Sequence, residues 1–299
     1  MRLMRPTTIA LADLVSSTVA EPNALYSAMT TYALNAIARV DQATGAVEYK
    51  SLASGNYGNP VTDASKWLAL GPSNRWKALD GKIGAQAQRA ESVEYKFTVA
   101  GRIDGVSLLN LDGVSVQVIA EDATDGVVFD QTVILVVNYG VIDIYAYLIE
   151  PIRRRRDVQV SGISPLYAGL TITVRVFSPG ATAKVGEIIP SLSQPVGGTQ
   201  YGANVGIQDY SRKDRDDFGN EIVVERAFSK RATFVVNVAP GMFDQVNTQL
   251  SDYRARPIVF QGSTQYGATL VYGYVKDFSQ EIQGPTFTTC SLEVEGLSQ

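Results

Sequence analysis

The 299-residue chain is long enough for two or three domains, and its 45% apolar and 19% charged residues indicate a folded protein rather than a disordered one. The 26 Lys and Arg residues stand against 30 Asp and Glu residues, and this formal net charge of −4 supplies no field that would gather nucleic acid. Histidine is absent, which excludes nucleophile systems and zinc sites that are built on imidazole. The single cysteine, Cys290, excludes an intrachain disulfide and indicates folding in a reducing compartment.

The N-terminal residues 1–20 carry two arginines ahead of a short apolar stretch that Pro6 and Asp13 interrupt. A secretory signal needs an unbroken apolar run of at least about 7 residues. We therefore predict an extended N-terminal arm here. No later stretch approaches the roughly 20 apolar residues of a membrane-spanning helix, so no membrane span is expected.

Residues 21–72 are rich in Ala, Tyr, Asn and Gly, and turn signals such as Gly58-Asn59-Pro60 bracket only short apolar runs. This composition predicts a small, loop-rich domain. The apolar residues between 25 and 40 leave two alternatives open. Their spacing suits a helix, yet they also suit short strands around a turn at Thr44-Gly45.

Residues 73–190 show the alternation of apolar and polar residues that is typical of half-buried strands. The alternating apolar positions are Val114, Val116 and Val118, and then Ile172, Val174 and Val176. Turn signals such as Asp112-Gly113 and Tyr139-Gly140 separate the runs, without helical patterns between them. We predict an antiparallel, jelly-roll-like β-sandwich, with Trp76 buried at its junction to the small domain.

The stretch 190–198 carries two prolines and a Gly-Gly pair, and it is interpreted as a linker. Residues 191–299 are then a separate α+β domain. Its helix is predicted over 241–253, where Phe243, Val246 and Leu250 share one face. Strands are predicted at 222–238, 258–260, 269–275 and 286–294. The whole chain is thus predicted to be mainly β, with a small β domain, an antiparallel β-sandwich and a C-terminal α+β domain.

The order of aromatic residues in the small domain resembles that of small chitin- and cellulose-binding modules attached to chitinases. The matching segments are Tyr26, Thr31-Tyr32, residues 37–40, residues 48–52 and Trp67. Tyr26 stands where that family has its first Trp, and Leu34-Asn35 replaces its Gly-Asp turn. The resemblance implies a tiny carbohydrate-module-like β-fold that presents sugar-stacking aromatic rings.

A longer set of segments, spread over nearly the whole chain, resembles a group of bacteriophage tail proteins. These segments are residues 71–81, 108–111, 183–187, 209–213, 217–220 and 226–231. The resemblance implies a virion component of the tail tip or baseplate, made in the host cytoplasm, with no enzymatic activity and no cofactor. Its implied partners are other tail proteins and copies of itself.

Four aromatic residues of the small domain are candidates for sugar binding, because a ring face packs against sugar C–H groups: Tyr32, Tyr49, Tyr57 and Trp67. A domain of this size must also bury its largest side chains. We favour the core interpretation for Tyr32, Tyr49 and Trp67. Tyr57 lies in a Gly/Asn loop and is the best candidate for an exposed ring.

Two basic stretches are candidates for interfaces, the run Arg153, Arg154, Arg155 and Arg156 and the pair Arg212 and Lys213. Guanidinium groups also bind phosphate and acidic glycans. In an acidic chain without interleaved aromatics, contact with acidic partner surfaces is the favoured interpretation. No metal-ligand pattern is recognised, since Asp122, Asp125 and Asp130 lack the spacing of a calcium loop.

The expected function is therefore a non-enzymatic structural component of a phage tail tip or baseplate that acts through subunit interfaces. The alternative from another class is an adhesin that binds a bacterial surface glycan.

Overall fold

The computed structural model describes residues 1–137, 142–215, 218–284 and 286–299. The chain is 52% strand and 10% helix, with a small helical part near the C-terminus, and the prediction of a mainly β protein is confirmed. No helix of the described residues combines the length and the apolar character that crossing a membrane requires. The predicted turn at Tyr139-Gly140 and the first residue of the tail-protein segment 217–220 lie outside the described residues.

The strands run along the chain as follows: β1 (Arg2–Pro6), β2 (Leu14–Ser17), β3 (Ile37–Gln42), β4 (Gly45–Ser51), β5 (Trp67–Pro72), β6 (Ala87–Thr98), β7 (Gly105–Leu109), β8 (Ser115–Asp122), β9 (Gly126–Ile134), β10 (Val136–Val137), β11 (Arg153–Arg154), β12 (Val158–Ser161), β13 (Thr171–Val185), β14 (Glu187–Pro195), β15 (Gly198–Thr199), β16 (Asn204–Asp209), β17 (Arg212–Arg215), β18 (Glu221–Val224), β19 (Phe228–Val238), β20 (Ile258–Gln261), β21 (Leu270–Ile282) and β22 (Thr288–Ser298). The α-helices are α1 (Ile144–Ile149) and α2 (Phe243–Asp252). Short 3-10 turns span Leu11–Asp13, Trp76–Ala78, Pro240–Met242 and Gly267–Thr269.

The small domain contains a three-stranded sheet in the order β3-β4-β5. Strands β3 and β4 pair antiparallel around the turn at Ala43-Thr44, so the strand alternative is correct for this part of the sequence. Residues 25–36 form turns and isolated bridges, and the helix alternative is wrong. Gly45 has a φ of 143°, and a Cβ atom there would lie 2.0 Å from Nε1 of Trp76. Trp76 is buried against this sheet, as predicted for the junction.

A five-stranded sheet has the order β2-β6-β13-β8-β9. The long central strand β13 pairs with β6 on one side and with β8 on the other. The alternate side chains of Val116, Val118, Val174 and Val176 are buried, which confirms the period-two prediction for both strands. Strand β9 is an edge of this sheet and is mostly exposed.

A ten-stranded sheet has the order β12-β7-β14-β1-β20-β21-β22-β19-β15, and β16 also pairs with β19. Strand β1 lies in its middle, paired with β14 and with β20. Leu3 and Met4, neighbours along β1, are both buried and belong to different apolar clusters. The prediction of an extended arm is therefore wrong for Arg2–Pro6, because a strand that is apolar on both faces gains most when both faces are covered.

Strand β14 passes through the boundary that was predicted after residue 190. It pairs with β7 on one side and with β1 on the other, so residues 190–195 are not a linker. Ile188 and Ile189 in this strand are buried, and their burial stabilises the strand although it contains the two prolines that suggested a linker. One sheet thus contains strands from both sides of that boundary.

Side chains from the two large sheets meet in one buried cluster. Phe97 and Val118 from the five-stranded sheet share it with Leu108 and Ile188 from the ten-stranded sheet. This face-to-face packing is the predicted β-sandwich. A second cluster lies under α2, whose Val246 and Leu250 are buried as the sequence predicted.

Candidate interaction surfaces

Three aromatic rings of the small domain form one cluster around Trp67. The Trp67 ring lies edge to face with Tyr26 at a centroid distance of 5.6 Å and with Tyr32 at 5.0 Å. Tyr26 and Tyr32 stack on each other at 5.9 Å. The indole N–H of Trp67 donates to the Asn59 carbonyl at 3.0 Å, and the side chain is only 3% exposed. Trp67 is therefore a core residue, and Tyr32 is part of the same cluster.

The amide side chains of this domain hold its loops together. Asn56 is buried, and its Nδ2 donates to Ser51 Oγ at 3.1 Å and to the Lys66 carbonyl at 3.3 Å. Asn59 Nδ2 donates in turn to Asn56 Oδ1 at 2.8 Å. The polar groups that the sequence places near the rings are thus occupied by internal hydrogen bonds.

The other two aromatic candidates stand apart from the cluster. Tyr49 is half-buried on β4, opposite Ala38. Tyr57 is 60% exposed in its Gly/Asn loop. Among the described residues, ring contacts join neither of them to Trp67 or to each other. Tyr57 is the member of the predicted set whose ring is open to a ligand.

The arginine run is held by backbone pairing and lines a cleft of about 570 Å³. Arg153 and Arg154 form β11 against β10, and the Arg156 carbonyl accepts from Leu111 N at 2.7 Å. Arg155 also lies in this paired segment, where its N–H donates to the Leu135 carbonyl at 2.8 Å. The backbone of the run is therefore ordered, while its side chains are exposed.

The cleft beside the arginine run has an excess of positive charge. Asp112 binds Arg154 at 3.1 Å and Lys184 at 3.7 Å, and among the described residues it is the one carboxylate in a lining that also holds Arg153 and Arg156. Four cations around one carboxylate favour a ligand or partner that supplies negative charge. This arrangement suits the predicted contact with an acidic partner surface.

Directly before the arginines lies a surface that the sequence analysis missed, the exposed apolar segment of residues 142–152. Helix α1 begins at its N-cap Asp143, whose Oδ1 accepts from Ala146 N at 2.7 Å, and it buries no side chain. Seven large apolar residues of the segment are 59% to 90% exposed: Ile142, Ile144, Tyr145, Tyr147, Leu148, Ile149 and Ile152. The signal in the sequence is a short helical run that is apolar on every face.

The second basic stretch lies on a two-stranded ribbon formed by β17 and β18. Arg212 forms an ion pair with Asp214, and Lys213 lies 3.8 Å from Asp209. Arg212 is thus paired within the ribbon, and Lys213 is paired with the last residue of β16. The opposite strand exposes Ile222, Val223 and Val224 by about half of their surface. Isolated two-stranded ribbons are marginally stable in water, and exposed apolar side chains on one suit a contact with a partner.

The three aspartates that were considered for calcium bind other protein groups. Asp122 accepts the backbone N–H groups of Thr124 and Asp125, while Asp125 accepts from the hydroxyl of Tyr167. Asp130 accepts from Gln117. Among the residues that the structure describes, no group of three or more Cys, Asp or Glu side chains could hold a metal ion.

No protein-family model matches the chain, and no curated protein or solved structure matches it either. Its function is therefore inferred from its own surfaces and from the motifs of its sequence.

Proposed function

We propose that this chain is a non-enzymatic structural component of a bacteriophage tail tip or baseplate. It assembles there with other tail proteins and with copies of itself. The observation that carries the proposal is the exposed apolar segment of residues 142–152. Monomeric proteins rarely expose contiguous apolar patches larger than a few hundred Å², and such patches mark interaction sites. The segments that resemble phage tail proteins, such as residues 209–213 and 226–231, indicate that the assembly is a phage tail.

The energetics of α1 favour a partner that covers it. A six-residue helix is far below the roughly 12–15 residues at which an isolated helix becomes marginally stable in water. None of its side chains is buried by the described part of the chain. Each Å² of apolar surface that a partner covers stabilises the contact by about 25 cal/mol. Helix α1 is thus expected to reach its full stability in the assembled particle.

The charges beside the segment define the partner further. Ile152 belongs both to the exposed apolar segment and to the lining of the basic cleft, so the two surfaces are continuous. A complementary partner carries an apolar groove that is flanked by carboxylates. Such charge pairs set the register of a contact and speed association more than they raise affinity.

The test compares particle incorporation of two variants. The triple variant Ile144→Ser, Leu148→Ser, Ile149→Ser removes apolar surface from the segment without touching the core. Leu166→Ser, at an exposed leucine outside the segment, is the matched control. Particles are purified by density gradient from a lysate of the producing bacterium, and peptides of the chain are quantified by mass spectrometry.

We expect wild type and Leu166→Ser in the particles and the triple variant in the soluble fraction, folded by circular dichroism. Absence of wild-type peptides from purified virions would overturn the proposal. Equal incorporation of the triple variant would show that the segment is not the docking surface on which the proposal rests.

A second candidate function, glycan binding as a surface adhesin, is favoured by one observation. The Tyr57 ring is 60% exposed in the domain whose sequence resembles carbohydrate modules. Trp67 and Asn56 are committed to the core and to loop hydrogen bonds, which leaves this site one ring. Titration of wild type and Tyr57→Ala with chitohexaose and cellohexaose tests it, and equal affinity in the two proteins would exclude Tyr57 as the site.

A further inference from the structure

A cleft of about 740 Å³ lies between the segment 199–205 and the segment 261–269. Its volume is within the range of about 300–1,000 Å³ that is usual for small-molecule sites. Two tyrosines line it. Tyr201 is fully exposed and Tyr266 is 62% exposed. Both rings therefore present apolar area that the chain itself does not cover.

The two walls are connected and ordered by hydrogen bonds. Thr199 Oγ1 donates to the Gly262 carbonyl at 2.6 Å, which joins one segment to the other. Within the second wall, the buried Thr269 Oγ1 accepts from Ser263 N at 3.0 Å and donates to the Tyr266 carbonyl at 2.7 Å. The loop that carries Tyr266 is thus pre-formed, and little conformational entropy remains to be lost on binding.

The close approach at Gly262 also requires glycine. A Cβ atom at this position would lie 2.4 Å from Cε1 of Phe234, whose ring is fully buried in the core. The wall is consequently anchored to a rigid part of the sheet. The backbone that carries Tyr266 is therefore attached to the sheet and is not a free loop.

The lining is rich in hydroxyl and amide groups, and its charged residues are Arg2 and Met1 with its N-terminal ammonium. The hydroxyl and amide groups come from Thr199, Gln200, Gln261, Ser263, Thr264 and Gln265. Each of these side chains both donates and accepts hydrogen bonds, as sugar hydroxyls do. Arg2 is the charged side chain among the described residues that line the cleft, and carboxylates are absent from that lining. A metal ion would find few suitable ligands there.

We infer that this cleft binds a short saccharide, whose C–H faces pack on Tyr201 and Tyr266 while its hydroxyls bind the amides and hydroxyls between them. The site lies outside the small domain and uses neither Tyr57 nor Trp67. The inference goes beyond the assembly function and stands without it. It gives the chain a glycan-binding surface in its C-terminal half, where the sequence analysis expected none.

The experiment uses the full chain on an array of neutral and acidic oligosaccharides from bacterial capsules, lipopolysaccharides and cell walls. The strongest arrayed oligosaccharide is then titrated by calorimetry against wild type, Tyr201→Ala and Tyr266→Ala. We expect each variant to lose between about twofold and tenfold in affinity, since an aromatic contact contributes roughly 0.5–1.5 kcal/mol and 1.4 kcal/mol is tenfold. Their melting temperatures should match that of wild type, because both rings are exposed.

Phe287→Ala is the matched control, because its ring is also exposed, by 42%, and does not line the cleft. It should retain wild-type affinity for the titrated oligosaccharide. Absence of binding by wild type at millimolar concentration would overturn the inference. So would unchanged affinity in both Tyr201→Ala and Tyr266→Ala, or a loss in Phe287→Ala alone. None of these results depends on whether the chain is found in virions.

Discussion

Glu187 lies buried beside Asp80, and Oε2 of Glu187 and Oδ2 of Asp80 are both buried without a hydrogen-bond partner among the described residues. Glu187 belongs to β14 in the ten-stranded sheet, whereas Asp80 follows the 3-10 turn of Trp76–Ala78. The backbone N–H of Lys82 donates to Oδ1 of Asp80 at 2.9 Å. Two neighbouring carboxyl groups repel each other when both are ionised, which favours the protonated form of one of them.

This pair makes the stability of the protein depend on pH. Burial, followed by the charge of Asp80, raises the pKa of Glu187 well above its usual value of 4.5. Burial likewise raises the pKa of Asp80 above 3.8. A raised pKa means that the folded state binds the proton more tightly than the unfolded state. The free energy of unfolding should therefore fall as the pH rises from about 4.5 toward the folded pKa.

Glu187→Gln should remove most of this dependence and stabilise the protein at neutral pH relative to wild type. Urea unfolding of wild type and variant between acidic and neutral pH measures the slopes. Glu225→Gln, at an exposed position, is the control and should leave the slope unchanged. An identical slope in wild type and Glu187→Gln would contradict the prediction.

Trp67 should contribute strongly to the stability of the small domain. Replacement by Ala removes two edge-to-face ring contacts and a hydrogen bond, and Phe or Trp to Ala changes in cores cost about 3–5 kcal/mol. Tyr57→Ala removes an exposed ring and should change the free energy of unfolding by less than about 0.5 kcal/mol. Calorimetric melting of both variants measures these changes. A wild-type melting profile for Trp67→Ala would refute the assignment of Trp67 to the core.

Gly45→Ala should loosen the junction between the small domain and the sandwich. The added Cβ would overlap the Trp76 indole, and overpacking of this kind costs about 1–3 kcal/mol. Gly71→Ala is a matched control, because Gly71 also has a positive φ, of 125°, but no atom lies within 4 Å of its Cβ position. Both variants carry backbone strain, so their difference in unfolding free energy isolates the clash with Trp76. Equal destabilisation of the two variants would show that the Trp76 indole moves aside without a loss of unfolding free energy.

Cys290 should behave as a small apolar residue. It is buried in β22 opposite Val236, and burial raises the pKa of its thiol to about 11. Iodoacetamide should therefore leave the native protein unmodified at neutral pH and alkylate it after unfolding. Cys290→Ala should cost about 1 kcal/mol, a typical value for single substitutions, and preserve assembly. Rapid alkylation of the native protein would reveal an accessible thiolate and contradict the prediction.

Much of the secondary structure was readable from the sequence because it depends on local patterns. The alternation of Val116, Val118, Val174 and Val176 predicted strands with one buried face, and the spacing of Val246 and Leu250 predicted the face of α2. The burial of Trp67 followed from the size of its domain. These predictions needed only the period of the side chains and the demand for apolar burial.

The candidate surfaces were less predictable, since exposure depends on what the rest of the chain leaves uncovered. The run around Ile144 reads equally well as a buried helix, and the surrounding sheets leave it open. Tyr201 and Tyr266 are far apart in sequence and share a cleft because Thr199 binds Gly262 across it. Contacts between residues so far apart in the sequence cannot be predicted from a local sequence pattern.

The sequence by itself thus determined that the chain is mainly β, where most strands lie and which side chains point inward. The tertiary structure decided that β1 is a central strand, that residues 190–195 continue a sheet, and that Glu187 meets Asp80 in the interior. The physical reason is the range of the interactions. Side-chain periodicity acts between neighbours along the chain, whereas strand order and carboxyl pairing depend on residues about a hundred or more positions apart, which only the closed fold brings together.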